Sequence, residues 1–492
     1  MFINVVAFVL SSSKLLTDHS GAAAMSPQPN ILLIMSDEHA AAYSGTYGHP
    51  LVQTPSMDRL AAAGVTFDNT YCNSPLCLPS RMSFMTGRFI HRIGSWDNAS
   101  PLPSDTVTWA HMLRAVGYDA VLCGKQHFCG SDQLHGFGAQ LARDLHAEQW
   151  MQNGAPRGTP DWRQGTPVAP QPWGGLEQAG PGTTEEIEVD DLVEERALGY
   201  LREPERRRRP WALNVSFIAP HFPLVAPTRF YDLYPPEEVD LPGIPPGHLE
   251  KQHPVYQRMR GMFGLVDYSE KLVRRGRAGY YGLITYLDEK IGRLLDVLEE
   301  TGQADNTLVV YCSDHGDMNG EHGMWRKSNF YDASSRVPLQ IAWKGVLPAG
   351  TRREEVVSLV DLIATVVEAA GATTDDASLD GDSLLGLMKG TKTEWKNEAF
   401  SEYLAHGVAR PMAMLRRGRY KLNYSLGDPP ELYDMEADPN EFRDLALDPT
   451  YQEVASELQE RLLARWNPEQ LEQQVLRSQR ERLLIERAHR TH

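Results

Sequence analysis

The chain has 492 residues, 41% hydrophobic and 23% charged, enough for one large core and a smaller one beside it. A formal net charge of −17 excludes a general nucleic-acid binder, and no segment reaches the ~20 apolar residues that cross a bilayer. The five cysteines are odd in number and form no C-x-x-C pair, which favours reduced thiols over a disulfide framework or a zinc knuckle.

Residues 1–24 begin with a short apolar run, Phe2 to Leu10, but the first lysine, Lys14, follows it. A secretory signal has its positive charge first. These residues are expected to be a disordered leader or upstream extension. The cytoplasm is the expected compartment, or the periplasm if the segment acts as a signal. Asn30 to Ser36 is a continuous apolar run ending in Asp37, the pattern of a strand buried on both faces. Pro55 to Ala63 follows Thr54, an expected helix N-cap. Tyr118 to Leu122, Trp211 to Phe217 and Thr307 to Cys312 repeat the strand pattern. They empty into Gly124-Lys125-Gln126-His127, Ala219-Pro220-His221-Phe222-Pro223 and Ser313-Asp314-His315-Gly316.

Helical stretches lie between: Glu185 to Leu201, and a stripe of Tyr281, Ile284, Leu287, Ile291, Leu294, Leu295 and Leu298 that predicts a core face. The alternation predicts a doubly wound α/β fold, a mostly parallel central sheet flanked by helices. Such sheets bind ligands beyond the carboxyl ends of their strands, so the four loops should converge. Residues 139–183, rich in Gly, Pro, Gln and Trp, read as a long insertion near the pocket mouth. Arg206 to Arg209 reads as a solvated connection.

After about residue 395 the style changes. Ala399 to Tyr403, Met412 to Arg416, Tyr420 to Tyr424 and Glu431 to Asp434 predict a small antiparallel sheet, with Arg417-Gly418-Arg419 as a hairpin turn. From Tyr451 the chain is helical and charged, with apolar positions such as Leu458, Leu462, Trp466, Leu471 and Val475. The expected boundaries are 25–395 for the catalytic domain, 396–450 for the small subdomain and 451–492 for a helical arm. The arm is expected to dock on a neighbouring subunit, or else to fold back on its own domain.

The most telling segment is Cys77-Leu78-Pro79-Ser80-Arg81, followed by Thr86-Gly87-Arg88. It sets a sulfur at a helix start, where unpaired N–H groups favour negative charge, with an arginine one turn on. That corner suits an oxyanion ester. A free cysteine is usually a core residue, but that reading leaves its neighbours unexplained. Asp37 and Asp314, each at a strand end, suit a divalent cation bound through hard oxygen ligands, although a lone Asp there is more often a helix cap.

These residues resemble the signature of the type I sulfatases of the alkaline-phosphatase-like superfamily, C-x-P-S-R followed by T-G-R. Every fixed position is present: Cys77, Pro79, Ser80, Arg81, Thr86, Gly87 and Arg88. The run Gly124-Lys125-Gln126-His127-Phe128, continued by Asp132-Gln133-Leu134-His135-Gly136-Phe137, is similar to the choline sulfatase and phosphonate monoester hydrolase branch. So is the tail Trp466 to Arg480.

The resemblance implies a sulfuric ester hydrolase, arylsulfatase or choline-sulfatase-like, acting on a small anionic sulfate ester. Cys77 would be converted to formylglycine (3-oxoalanine) by a formylglycine-generating enzyme. One hydroxyl of its hydrate attacks sulfur and expels the alcohol, and the other then loses a proton as sulfate leaves. His127 is the candidate base. The resemblance also implies one divalent cation on Asp37, Asp314, His315 and modified Cys77, with Glu38 either touching it or just behind. Many sulfatases have a second Asp and a late Asn where this chain has Glu38 and His315. Oxygen ligands favour Ca2+, while the imidazole makes Mn2+ credible and leaves Mg2+ open.

Lys125 and His127 would contact sulfate and nucleophile, Lys327 would grip the sulfuryl group, and His221 would protonate the leaving oxygen. Asn98 would hydrogen-bond an oxygen, and Arg81 would steady the nucleophile's loop. The branch's oligomerising arm implies a homo-oligomer, dimer or tetramer, with no nucleic-acid or membrane partner. A choline head group would need an aromatic cage and a carboxylate, for which Trp150, Trp162 and Glu402 are the candidates. Two other readings compete: a phosphonate monoester or phosphodiester hydrolase using the same site, and a non-catalytic binding protein of the same fold.

Overall fold

The apolar runs become neighbours in one sheet. A computed structural model describes residues 28–145, 175–265, 268–373, 378–405 and 407–490. Its main strands are β1 (Asn30–Asp37), β2 (Val65–Tyr71), β3 (Asp119–Gly124), β4 (Trp211–Pro220), β5 (Thr307–Ser313), β6 (Leu339–Trp343) and β7 (Thr351–Ser358). They form a nine-stranded sheet in the order β7-β2-β6-β5-β1-β4-β3, with Ala139–Gln140 beyond β3 and Arg336–Val337 beside β2.

β1 runs parallel to both neighbours, Leu33 facing Val310 on β5 and Asn214 on β4. β6 is antiparallel to β5 and β2, which makes the sheet mixed at that side. Along β1, Ile31, Leu33 and Met35 join one apolar cluster, while Leu32 and Ile34 join the other. The period-two alternation of a strand therefore feeds two cores, one per face, which is why the run is apolar throughout.

Helices cover both faces. α1 (Pro55–Ala63), α3 (Glu185–Arg202) and the 31-residue α4 (Glu270–Glu300) bury their apolar residues on the Leu32 side. The predicted stripe from Tyr281 to Leu298 is buried on α4. α2 (Cys77–Thr86) and α5 (Leu359–Ala369) pack on the Ile31 side. Thr54 does precede α1, but its hydroxyl accepts the Gly45 N–H instead of capping the helix. Asp288 of α4 accepts the Ser56 and Met57 amides in its place, because a fully ionisable acceptor from a packed neighbour satisfies two orphan donors at once.

The small sheet has the order β8 (Glu398–Tyr403), β9 (Met412–Arg417), β10 (Tyr420–Ser425) and β11 (Glu431–Asp434), all antiparallel. The hairpin joining β9 to β10 turns on Gly418, whose φ of 52° suits a residue without a side chain. α6 (Gln452–Leu463) and α7 (Pro468–Arg490) follow. Of the two expectations for the arm, folding back on its own domain describes Trp466, Leu471 and Val475, which are buried in the chain's own large core. Burying those side chains within one chain removes about 25 cal/mol per Å² of apolar surface from water without any second molecule.

The inserted stretch is described only at its ends, so the cage candidates Trp150 and Trp162 lie outside the described residues, as do residues 1–24. The five cysteines are buried and none is in a disulfide. Among the described residues no helix is long and apolar enough to cross a membrane.

Candidate active site

α2 starts at Cys77 after an extended Leu76, so the thiol sits on the first turn of a helix whose ten residues are all buried. Two side chains hold that start. Asn98 accepts the Leu78 N–H at 3.1 Å, and the Ser80 hydroxyl donates to the Asp314 carbonyl at 2.6 Å. Gly87 ends the helix with φ 63°, a left-handed position that favours glycine. The helix is thus pinned at both ends against the sheet, with its positive dipole end at the sulfur.

Around the thiol lie the ends of β1 and β5. Asp37 Oδ1 is 3.6 Å from Cys77 Sγ, and His315 Nε2 is 3.2 Å from it. Arg81 bridges the two strand ends, donating from Nη2 to Asp37 at 2.9 Å and from Nε to Asp314 at 2.8 Å. Its Nη1 holds Ser216 and the Lys125 carbonyl, which locks the β3 and β4 ends into the same arrangement. The Lys125 ammonium reaches Asp37 at 2.8 Å. All of these charged groups are buried.

A second lobe abuts the first. Lys327 Nζ donates to Glu38 at 3.0 Å and to His221 Nε2 at 3.0 Å, and His221 Nε2 is 3.3 Å from Glu38. The Nδ1–H groups of His221 and His315 donate to backbone carbonyls of Phe222 and Gly316. Those bonds assign the proton to Nδ1 and turn each Nε2 lone pair toward the carboxylates, as a metal-ligating or proton-handling imidazole requires.

The electrostatics follow from burial. Desolvation alone would raise the Asp37 carboxyl, but Lys125, His221, Arg81 and His315 together hold it well below its usual range. Burial dominates at Glu38 and Asp314 and raises both. Asp317, buried beside Glu38, is raised for the same reason. Burial, with Asp37 adding to it, pushes the Cys77 thiol up to about 11. Four carboxyls thus face the fixed cations Arg81, Lys125 and Lys327, with Arg326 also acting on Glu38 and Asp317. A divalent cation among them would offset the burial that raises the carboxyls. The donor set fits one: Asp37, Cys77, Asp314 and His315 each offer a ligand atom, all within 4.8 Å of one another, and Asp37, Glu38 and His221 form a second such group. Glu38 Oε1 is buried and meets no N–H donor among the described residues, while the Glu38 carboxyl also hydrogen-bonds the Asp317 side chain.

The structure therefore brings Asp37, Glu38, Cys77, Arg81, Lys125, His221, Asp314, His315 and Lys327 together. His127 is buried in the Lys125 loop, its backbone N–H on Asp144 and its φ at 61°. Asn98 spends its side-chain oxygen on the start of α2. Glu402 is not a cage wall: it is fully buried, accepting from His91 and from the Trp466 indole. A carboxylate with its lone pairs so used has none for a ligand cation. Sequence reading missed Ser216, Asp144, Asp317 and Tyr280, which donates to the Glu38 carbonyl. Only Asp317 carried a signal, three residues beyond Asp314 in the same loop.

Comparison with known proteins agrees with this geometry. Residues 29–372 match the Sulfatase family model, and residues 320–467 match that of the N-sulphoglucosamine sulphohydrolase C-terminal region. The chain is 36% identical over 476 residues to the choline-sulfatase of Rhizobium meliloti, covering 93% of this chain and 91% of that protein. It is 28% identical to the arylsulfatase of Clostridium perfringens, covering 87% and 92%. The phosphonate monoester hydrolase of Agrobacterium radiobacter superposes with a TM-score of 0.74 at 27% identity, covering 89% and 95%.

Proposed function

The chain belongs to the sulfatase family and is a sulfatase, and from that premise we propose that it cleaves small sulfate esters with a formylglycine made from Cys77. The observation that carries this reading is the position of the Cys77 sulfur, 3.2 Å from His315 Nε2 and 3.6 Å from Asp37, at a helix start. That sulfur stands in for the oxygens of the aldehyde hydrate. A thiol pushed up to about 11 is protonated near neutral pH and is a poor nucleophile as it stands, which favours a modified side chain.

Asp37, Asp314 and His315 would hold the cation, with Glu38 beside them, and Ca2+ suits the carboxylate-rich set better than Mn2+ or Mg2+. When bound, it supplies Lewis acidity at the sulfuryl oxygens. Lys125 and Lys327 stay charged, raised despite burial, Lys125 chiefly by Asp37 and Lys327 by Cys77 and Glu38, and bind the remaining oxygens. Arg81 fixes Asp37 and Asp314 relative to the nucleophile. His221, oriented by Phe222, takes up a second proton at Nε2, which lies 3.0 Å from Lys327 and 3.3 Å from Glu38, and delivers it to the leaving oxygen, while His127 takes the proton that releases sulfate. A formylglycine-generating enzyme is the implied maturation partner. Exposed Leu484 and Ile485 on α7 support a homo-oligomer.

A second reading, phosphonate monoester hydrolysis, draws on the structural likeness to that hydrolase. One experiment separates them. Protein made with the maturation enzyme should give a Cys77 peptide lighter by about 18 Da, the loss that accompanies an activated aldehyde nucleophile. The same sample is then assayed on aryl sulfate, choline sulfate and aryl phosphonate. A sulfate ester should have the highest kcat/KM. A clear preference for phosphonate replaces the first reading by the second, and an unmodified, inactive Cys77 removes both.

A further inference from the structure

The far end of α7 reaches back to the active site. Beyond Val475, Arg482 is the only buried residue of that helix among those whose side chains are described. Leu471, Val475 and Arg482 recur at helical spacing on one face, so the contact stripe exchanges an apolar residue for a guanidinium at its last step. Arg482 clasps Asp97 in a bidentate pair, Nη1 to Oδ1 and Nη2 to Oδ2, both 2.8 Å. Gln479, one turn earlier, adds a bond to Asp97 Oδ2 at 3.3 Å. Both partners of the ion pair are largely shielded, 9% and 13% exposed.

Asp97 is not a passive anchor. Its Oδ1 accepts the Ala99 N–H at 3.0 Å and the Ser100 hydroxyl at 3.1 Å, closing the turn that carries Asn98. Asn98 in turn accepts the Leu78 N–H beside the nucleophile. The Arg482 and Asp97 charges also act on the buried Cys129 thiol, two residues beyond His127.

We propose that Arg482 is a positioning residue: through the Asp97 turn and Asn98 it fixes the start of the helix that presents Cys77 to the substrate. A bidentate arginine suits this task because its planar fork sets direction as well as distance. A glutamine or methionine would fill the groove without aiming the turn. The proposal rests on the sulfatase reading only for its kinetic readout.

The test compares Arg482→Gln, Arg482→Lys and, as a control on the same helix, Glu472→Gln, which breaks the outer pair with Arg410. Two readouts are taken. Turnover of an aryl sulfate is normalised to the formylglycine content of each sample, and hydrogen exchange is followed in peptides covering residues 76–84 and 96–100. Arg482→Gln should lower kcat about ten- to a hundredfold with KM little changed, the loss expected when a reacting group is misplaced by about an ångström. Exchange should quicken in both peptides but not in α6. Arg482→Lys should recover part of the kcat, and Glu472→Gln should match wild type in both readouts.

If the glutamine variant does not fold, the lysine variant decides alone. A reduced kcat with faster exchange at residues 76–84 supports the proposal. Wild-type kcat with wild-type exchange overturns it, as does a loss of stability with kcat per formylglycine intact. If wild-type protein hydrolyses no sulfate ester while exchange at residues 76–84 still responds to Arg482, the coupling stands and the sulfatase reading falls.

Discussion

Two buried clusters of charge sit in this molecule, and they are built to opposite ends. Under the small sheet, Lys421 donates to the Phe330 carbonyl at 2.9 Å, to Asp332 at 2.7 Å and to Glu441 at 2.5 Å. Glu441 accepts the Asp332 N–H, and Arg336 and the Tyr71 hydroxyl complete the shell of Asp332. Cations and carboxylates there address one another and little is left over. At the ends of β1 and β5 the burial is as deep, but ligand atoms of four residues, Asp37, Cys77, Asp314 and His315, lie within 4.8 Å of one another. Burial and charge alone therefore do not mark a site. What separates the two is whether ligand atoms from several residues converge on one another instead of on a fixed ammonium.

Substitutions can break that contrast. Asp314→Asn keeps the shape at the converging cluster but removes a ligand charge. Hydrolysis should fall at least about ten-thousandfold, with loss of the bound divalent cation by elemental analysis. Retained metal and activity would place the two clusters in one class. Lys421→Met strips the cation from the closed cluster and leaves Asp332 and Glu441 facing each other. It should destabilise the fold by about 3–5 kcal/mol in denaturant unfolding, with kcat per folded molecule unchanged.

The smallest effect is a pH dependence. Burial raises Glu431, next to the closed cluster, from 4.5 to about 8. Its folded carboxyl keeps a proton that the unfolded chain releases, so its stabilisation is complete below about pH 4.5 and is lost as pH rises through about 8. Glu431→Gln should flatten that decline by roughly 2–4 kcal/mol between acidic and mildly alkaline pH, read as Tm against pH. An unchanged slope would mean that Glu431 is ionised in the fold.

The strands and the site-bearing loops were legible because a doubly covered parallel sheet demands uninterrupted apolar runs, and its geometry forces their polar ends together. Asp37, Lys125, His221 and Asp314 could be found that way, whereas Cys77 and Lys327 are found through the sulfatase pattern they resemble. Ser216 and Asp144 could not. They act through partners far along the chain, and a serine or aspartate in isolation looks like any other turn or strand residue. The same holds for Asp97 and Arg482, 385 positions apart. Thr54 had the right place for a cap, but the competing acceptor came from α4, which no local window contains. Glu402 looked available as a carboxylate because nothing local reveals that Trp466 and His91 have claimed it.

Glu38, His127, Arg326 and Ser328 all hold left-handed backbone, with φ between 61° and 81°, although none is glycine. Each such residue costs on the order of 1 kcal/mol relative to a relaxed conformation. Laboratory evolution for heat tolerance should therefore be drawn to these positions, where glycine or asparagine would relax the chain. The variants it collects should survive warmer conditions while turning over ester more slowly, so a thermotolerance screen without an activity gate would dismantle the catalyst one comfortable loop at a time.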